Sequence, residues 1–394
     1  MGRPDGALPR DTLARIFDMA QEAGLKPCPI VFEEVPARLM EAITAYGGLL
    51  NRYQHWTFGK AYQRIRLAHE FRLTRLYELV VNANPAIAYL LDSNSAVENL
   101  VVTAHVIAHV DFFQQHYRFR EVPANMPDRL TRIAPAIERA RVRLGAAAVE
   151  KWLEDAMVAA ELVDPYNDDW EAPANVLAYI HHEARDLSDD ARRLIEWVAQ
   201  EARYFRPQLD TKVANEGWAT YWHQQLMRRY PLTPGQVLEY ARLHAAVVGS
   251  RGLDNPYRLG TAIWTRAFAD GDTDAWQAHR YLSDVGMVDR FVTPELLAEL
   301  EPGLGRDEAL SLKSRLLQKL DNAGLPRIEV EGSEGRVLVL NHRHDGRDLD
   351  QRQLPGALMA LSRLWGGPVR IITAVQGKAR RLLAQPDTVI EEAG

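Results

Sequence analysis

The chain of 394 residues has one cysteine, Cys28, so neither an internal disulfide nor a cysteine-based zinc site can be built from it. Such sparing use of cysteine fits a reducing compartment, and the cytoplasm is the expected location. An excess of basic residues is also missing. The 47 Lys and Arg against 53 Asp and Glu leave a net charge of -6, which argues against binding nucleic acid through a broad phosphate-neutralising surface. No run approaches the ~18 to 20 apolar residues of a membrane helix, and the opening MGRPDGALPRDT has no apolar signal-peptide core, so neither a membrane span nor export is expected. No G-x-x-x-x-G-K-[ST] or G-x-G-x-x-G stands between a strand and a helix, which removes support for a phosphate-cradling loop. A serine nucleophile elbow is absent too, and Cys28 has no neighbouring histidine, so serine or cysteine hydrolysis is disfavoured.

What is present is an ordinary globular composition, 47% hydrophobic and 25% charged. From about Thr12 to Ala323 the apolar residues recur at helical spacing, broken at Pro or Gly. Cys28 to Val35, β-branched between prolines, is the exception and reads as a lone strand or extended arm. Ser95-Ala96-Val97-Glu98 is a capping box that should open a helix running through Phe113. A second helix is expected from Ser188 to Phe205, ending before Pro207, and a third from about Thr211 to Arg229. After Gly324 the pattern changes. Arg327 to Val330 and Arg336 to Asn341 read as a hairpin, Pro355 to Trp365 as a helix closed by Gly366-Gly367-Pro368, and Val369 to Val375 as a strand. Two domains follow from this reading, a helical one over 1–323 and a small α+β one over 324–394.

The sharpest local pattern is His105-Val106-Ile107-Ala108-His109. Histidines four apart share a helix face and can aim two imidazoles at one ion. Glu98, Phe112 and His116 are placed on the same face, and Val, Ile and Ala fill the rest, so this helix should be buried. Buried imidazoles need a hydrogen bond or a cation, and two core histidines satisfied by backbone or carboxylate groups are the alternative to a metal pair. Glu216, in Asn215-Glu216-Gly217-Trp218-Ala219 on a later helix, supplies a third ligand, and His223 lies seven residues on, on the same face. Gly217 inside that helix costs ~1 kcal/mol relative to Ala, which suggests that something large packs against the backbone there.

Two histidines on one helix and a glutamate on a later one resemble the ligand set of the Glu-type zinc peptidases. A divalent metal, zinc, is therefore expected on His105, His109 and Glu216. Those enzymes place a general-base glutamate directly after the first histidine, where this chain has Val106. Another carboxylate must then act, with Glu201 the first candidate and Glu161 a second. His55, in Tyr53-Gln54-His55-Trp56, and His223 are candidates for orienting a ligand or stabilising an oxyanion. His342 and His344 fall on one face of an alternating strand, where an exposed polar face is the commoner explanation. The fold class expected is mainly α, a large helical body with a zincin-like helix-borne histidine pair, plus a small C-terminal α+β domain.

Several stretches together resemble the SpoVR family, the stage V sporulation protein R-like proteins. They are Tyr46-Gly47-Gly48, Arg52 to Gly59, Asp92 to Ser95, Ala104 to Phe113, Glu201 to Gln208, Thr211 to His223, Asn255 to Gly260 and Asn341 to Gly346, with Leu361 and Trp365-Gly366. Ala108 stands where family members usually have Gly, and the region between Gly260 and Phe291 is compressed. The resemblance implies a link to spore cortex formation in spore formers. In other bacteria it implies partnership with a serine protein kinase and a von Willebrand A-type protein; it carries no assigned reaction. Two functions are consistent with it. One is a metal-dependent hydrolase or amidase acting on peptide or peptidoglycan-precursor-like substrates in sporulation or stress. The other is a non-enzymatic regulatory protein acting with the kinase.

Overall fold

The computed structural model describes residues 8–49, 51–70, 78–120, 122, 125–162, 175–249 and 252–392. In chain order the elements begin with α1 (Arg10–Glu22), β1 (Ile30–Val35), α2 (Ala37–Ala45), α3 (Trp56–Glu70), β2 (Glu78–Val81), β3 (Ala86–Leu91) and α4 (Ala96–Gln115). There follow α5 (Met126–Leu144), α6 (Ala146–Ala160), α7 (Val176–Glu183), α8 (Asp189–Asp210), α9 (Lys212–Arg229), α10 (Pro234–Val248) and α11 (Pro256–Asp270). The chain closes with α12 (Asp272–Tyr281), α13 (Asp284–Phe291), α14 (Pro294–Leu300), α15 (Arg306–Leu320), β4 (Ile328–Glu334), β5 (Val337–His342), α16 (Leu354–Trp365), β6 (Val369–Val375), β7 (Lys378–Gln385) and β8 (Thr388–Glu391). The protein is mainly α with a small α+β part, as expected from its periodicity. Two compact units divide it, Met1–Arg129 with Gln208–Leu320, and Leu130–Pro207 with Asp321–Gly394.

The first unit is built on α4. Ser95 caps it reciprocally with Glu98: the serine Oγ accepts from the Glu98 amide at 3.1 Å, and the glutamate Oε2 accepts from the Ser95 amide at 2.7 Å. From Val97 to Phe113 only Val101 is partly exposed. By length and composition alone this helix could cross a membrane, contrary to the expectation that no segment would; in this structure it is the core helix of the unit. Its stripe Val102, Val106 and Val110 packs on Ala86, Ala88 and Leu90 of β3, with Cys28, Ile30, Phe32 and Val80 around them.

These strands form a three-stranded sheet in the order β1-β3-β2. β1 runs parallel to β3 from Ile30↔Ala86 to Val35↔Leu91, and β2 antiparallel from Glu78↔Leu90 to Val81↔Ile87. The strand expected near Cys28 is therefore β1. β2 and β3 replace what the periodicity gave as helix. β3, Ala86-Ile87-Ala88-Tyr89-Leu90-Leu91, is the central strand and almost continuously buried, and a short unbroken apolar run has no period to separate strand from helix.

α9 crosses both α4 and α11. Its first amides are capped from a distance: Asp284 of α13 accepts from the amides of Val213 at 2.9 Å and Ala214 at 2.8 Å. Where α9 meets α11, Gly217 faces Gly260 so closely that a Cβ on Gly217 would lie 2.3 Å from the Gly260 carbonyl carbon. What packs against the Gly217 backbone is thus not the large group expected but the backbone of another glycine. Trp218, on the next position, donates its indole N–H to Asp111 at 3.0 Å and stacks on His279 with ring centroids 4.0 Å apart. Trp264 and Trp276 close around it, at 4.7 and 5.2 Å.

In the second unit a five-stranded sheet runs in the order β4-β5-β6-β7-β8. The expected hairpin is β4–β5, with a bulge between Val330 and Gly332, and β6 occupies the expected Val369–Val375. α16 makes the crossover between parallel β5 and β6, and stops at Gly366, whose φ of 73° suits a residue without a Cβ. Arg363 of α16 pairs with the buried Asp155 of α6 at 2.6 and 2.8 Å. α8 does not end before Pro207 but continues to Asp210. A proline inside a helix forgoes one backbone hydrogen bond, and here Tyr204 and Pro207, three apart, bury one continuous face across it. His342 ends β5 and bonds Thr373 Oγ1 through Nδ1 at 2.9 Å, while His344 lies beyond the strand beside Asp348.

Candidate metal centre

Helical spacing sets His105 above His109 on α4, with their rings edge to face and centroids 4.5 Å apart. α9 brings Glu216 against both. Its Oε2 lies 3.7 Å from His105 Nε2 and 3.4 Å from His109 Nε2, and the three ligand atoms fall within 4.8 Å of one another. Those separations exceed a hydrogen bond. The two Glu216 distances are close to the edge, roughly 3.4 Å, of a tetrahedron whose corners are about 2.0–2.1 Å from its centre. Glu216 Oε2 is buried and has no hydrogen-bond partner among the described residues. Two imidazole nitrogens and a carboxylate oxygen are a zinc-type donor set that could hold a divalent ion.

The outer nitrogens of both rings are held. His109 Nδ1 faces Asn215 Oδ1 at 2.9 Å, so the ring donates there and turns the Nε2 lone pair inward. His105 Nδ1 lies 3.0 Å from His223 Nδ1, His223 Nε2 lies 3.1 Å from His244 Nδ1, and His244 Nε2 lies 3.3 Å from the Gln224 amide. With His105 Nε2 turned to the centre, its Nδ1–H donates to His223, whose Nε2–H donates to His244, and His244 Nε2–H then requires the Gln224 amide turned with its oxygen, not its nitrogen, toward it. One choice of tautomer therefore fixes the next two. His223 contacts His105 and is not one of the three residues that converge.

Electrostatics agree with this geometry. Burial would raise the Glu216 carboxyl, but the two imidazoles hold it well below the usual carboxylate range. Burial works against a charge on His109, and Glu216, Asn215 and Glu78 more than offset it, so its pKa is raised. His223 is driven well below the ordinary histidine value by burial and then by His105, His244 and His109. The phenol of Tyr257, the second residue of α11, is pushed up by the Glu216 carboxylate first, then by burial, then by Glu78. Its ring stands 6.2 Å from that of His105.

The three expected ligands converge. His55 lies elsewhere in the unit, in an aromatic cluster with Trp56 and Phe58, its Nδ1 2.7 Å from Thr57 Oγ1. Glu201 is buried on α8 in the second unit, and Glu161 follows α6 there. Tyr257, His244 and Glu78 carry no role in the sequence reading. Tyr257 had a signal in Asn255-Pro256-Tyr257, a capped helix start with Gly260 one turn on. His244 had none, since α10 presents no buried residue.

The family described as SpoVR like protein matches residues 9–174 and 169–301, which include every residue of this centre, and the chain belongs to that family. It is similar to a protein of Escherichia coli (strain K12) described as "Uncharacterized protein YcgB", with 26% identity over 313 residues, 65% of this chain and 61% of that protein. The chain thus matches less than two thirds of that relative's length. No solved structure matches it.

Proposed function

We propose that the protein is a metal-dependent hydrolase of amidase type, with His105, His109 and Glu216 holding a divalent ion, zinc by its donor set. The observation that carries this reading is Glu216 Oε2, buried without a hydrogen-bond partner among the described residues and 3.4 and 3.7 Å from two imidazole nitrogens. An ion there would supply a Lewis acid beside an open position. Asn215 and His223 orient the ligand rings, and Tyr257 presents a phenol able to donate to an oxygen that gains charge. The family's link to the spore cortex favours peptide or peptidoglycan-precursor-like amides as substrates. The free, half-buried Cys28 supports a cytoplasmic location. Elemental analysis of protein purified without chelators should find about one equivalent of zinc, lost in His105→Ala; a metal-free wild type that also fails to take up added zinc refutes the reading.

A second reading rests on Val106, which is fully buried in the valine stripe, so the position after the first histidine serves packing. The protein would then be a regulatory partner of a serine protein kinase and a von Willebrand A-type protein, its histidines a polar core network. Reconstitution with those two proteins tests it: no binding by the wild-type chain would rule it out.

A further inference from the structure

Val106 leaves α4 without a base of its own, and the sheet beneath α4 supplies a carboxylate. Side chains alternate along a strand, so Glu78 and Val80 of edge strand β2 share a face. Val80 packs with the Val102, Val106 and Val110 stripe. Glu78 is therefore carried on the α4 side of the sheet, at the end of β2 that pairs with Leu90. Burial raises the Glu78 carboxyl, His105 and His109 lower it and Glu216 raises it again, and Glu78 in turn bears on His109 and Tyr257. It is not itself a ligand, because the mutually close ligand atoms are those of His105, His109 and Glu216. A carboxylate on the α4 side of the sheet and outside the group of three would be suited to hold a water beside an ion bound there.

We propose that Glu78 is the general base of the centre, an assignment that rests on the metal-dependent hydrolase reading above. Glu78 takes a proton from water as the water oxygen forms a bond to the amide carbonyl carbon. The C–N bond then breaks, its electron pair stays on nitrogen, and the proton passes from Glu78 to that nitrogen. The products are a carboxylic acid and an amine, and no oxidant or reductant is involved.

The test uses cobalt(II) and azide as probes. The full chain, stripped of metal and loaded with one equivalent of cobalt, is titrated with azide while the visible absorption of the cobalt is followed. A carboxylate facing the open position repels an anion there, so Glu78→Gln should bind azide at least ~10-fold more tightly than the wild type. Glu78→Asp keeps the charge and should stay within about twofold of it. Equal azide affinity in wild type and Glu78→Gln, both holding cobalt, overturns the assignment of Glu78 and leaves the metal centre standing. Loss of cobalt from both Glu78 variants, with the wild type loaded, makes Glu78 a ligand and also overturns it. Failure of the wild type to take up cobalt overturns the metal centre and this assignment together.

Discussion

Replacing Gly217 with alanine is expected to destabilise the protein, although alanine is the better helix former. The added Cβ would stand 2.3 Å from the Gly260 carbonyl carbon and 2.4 Å from its Cα, where ordinary contact begins at 3.4 Å. Both neighbours are backbone atoms, so no side chain can swing aside, and α9 and α11 must part by about 1 Å. Helix propensity returns ~1 kcal/mol. Overpacking costs ~1–3 kcal/mol, and a clash between two backbones belongs at or above the top of that range. A net loss of ~2 kcal/mol corresponds to about 4–8 °C in melting temperature for a unit of this size. The same parting would draw Glu216, beside Gly217, away from Tyr257, one turn before Gly260, so zinc affinity should fall as well. Differential scanning calorimetry and a competition titration with a chromogenic chelator measure both effects. A Gly217→Ala protein that melts at or above the wild-type temperature refutes the close crossing of these helices, and with it the placement of Tyr257 on Glu216.

His223→Ala removes the acceptor for His105 Nδ1 and should weaken zinc binding by about 10–100-fold in the same titration, whereas His55→Ala should leave it unchanged; equal affinity in wild type and His223→Ala sinks the argument. In metal-free protein the Glu216 carboxyl is depressed, so its contribution to stability is complete above its ordinary value of 4.5 and is lost as pH falls through its lower folded value. His109 is raised, so its share is complete below its ordinary value of 6.5 and is lost as pH rises through the folded one. Urea midpoints should therefore be highest between about pH 4.5 and 6.5 for these two groups, and Glu216→Gln should flatten that maximum; parallel profiles would contradict it.

The convergence of His105, His109 and Glu216 was legible because its signals are local. A spacing of four on a buried helix puts His105 and His109 together whatever surrounds them, and Ser95 and Glu98 announce where that helix begins. Glu216 was marked by Gly217, whose cost inside a helix needed a reason. The groups around the ligands were less legible for a physical reason. Tyr257 reaches Glu216 only because two glycines let α9 and α11 touch, and nothing in either stretch alone specifies the other. Glu78 gains its position from the register of a four-residue edge strand against β3, a segment whose unbroken apolar run hides its period. The course of α8 through Pro207 likewise depends on burial that a proline rule ignores.

The tryptophans packed around Trp218 give the centre an intrinsic optical reporter. Indole transitions at centroid separations of 4.7 and 5.2 Å couple to one another, so Trp218, Trp264 and Trp276 contribute jointly to the near-ultraviolet circular dichroism. Trp218 is two residues from Glu216, and its N–H is bound to Asp111, two residues from His109. A change in the spacing of α4 and α9, the two helices that carry His105, His109 and Glu216, must therefore alter that band, so the proposed ion uptake would be open to test in unlabelled protein.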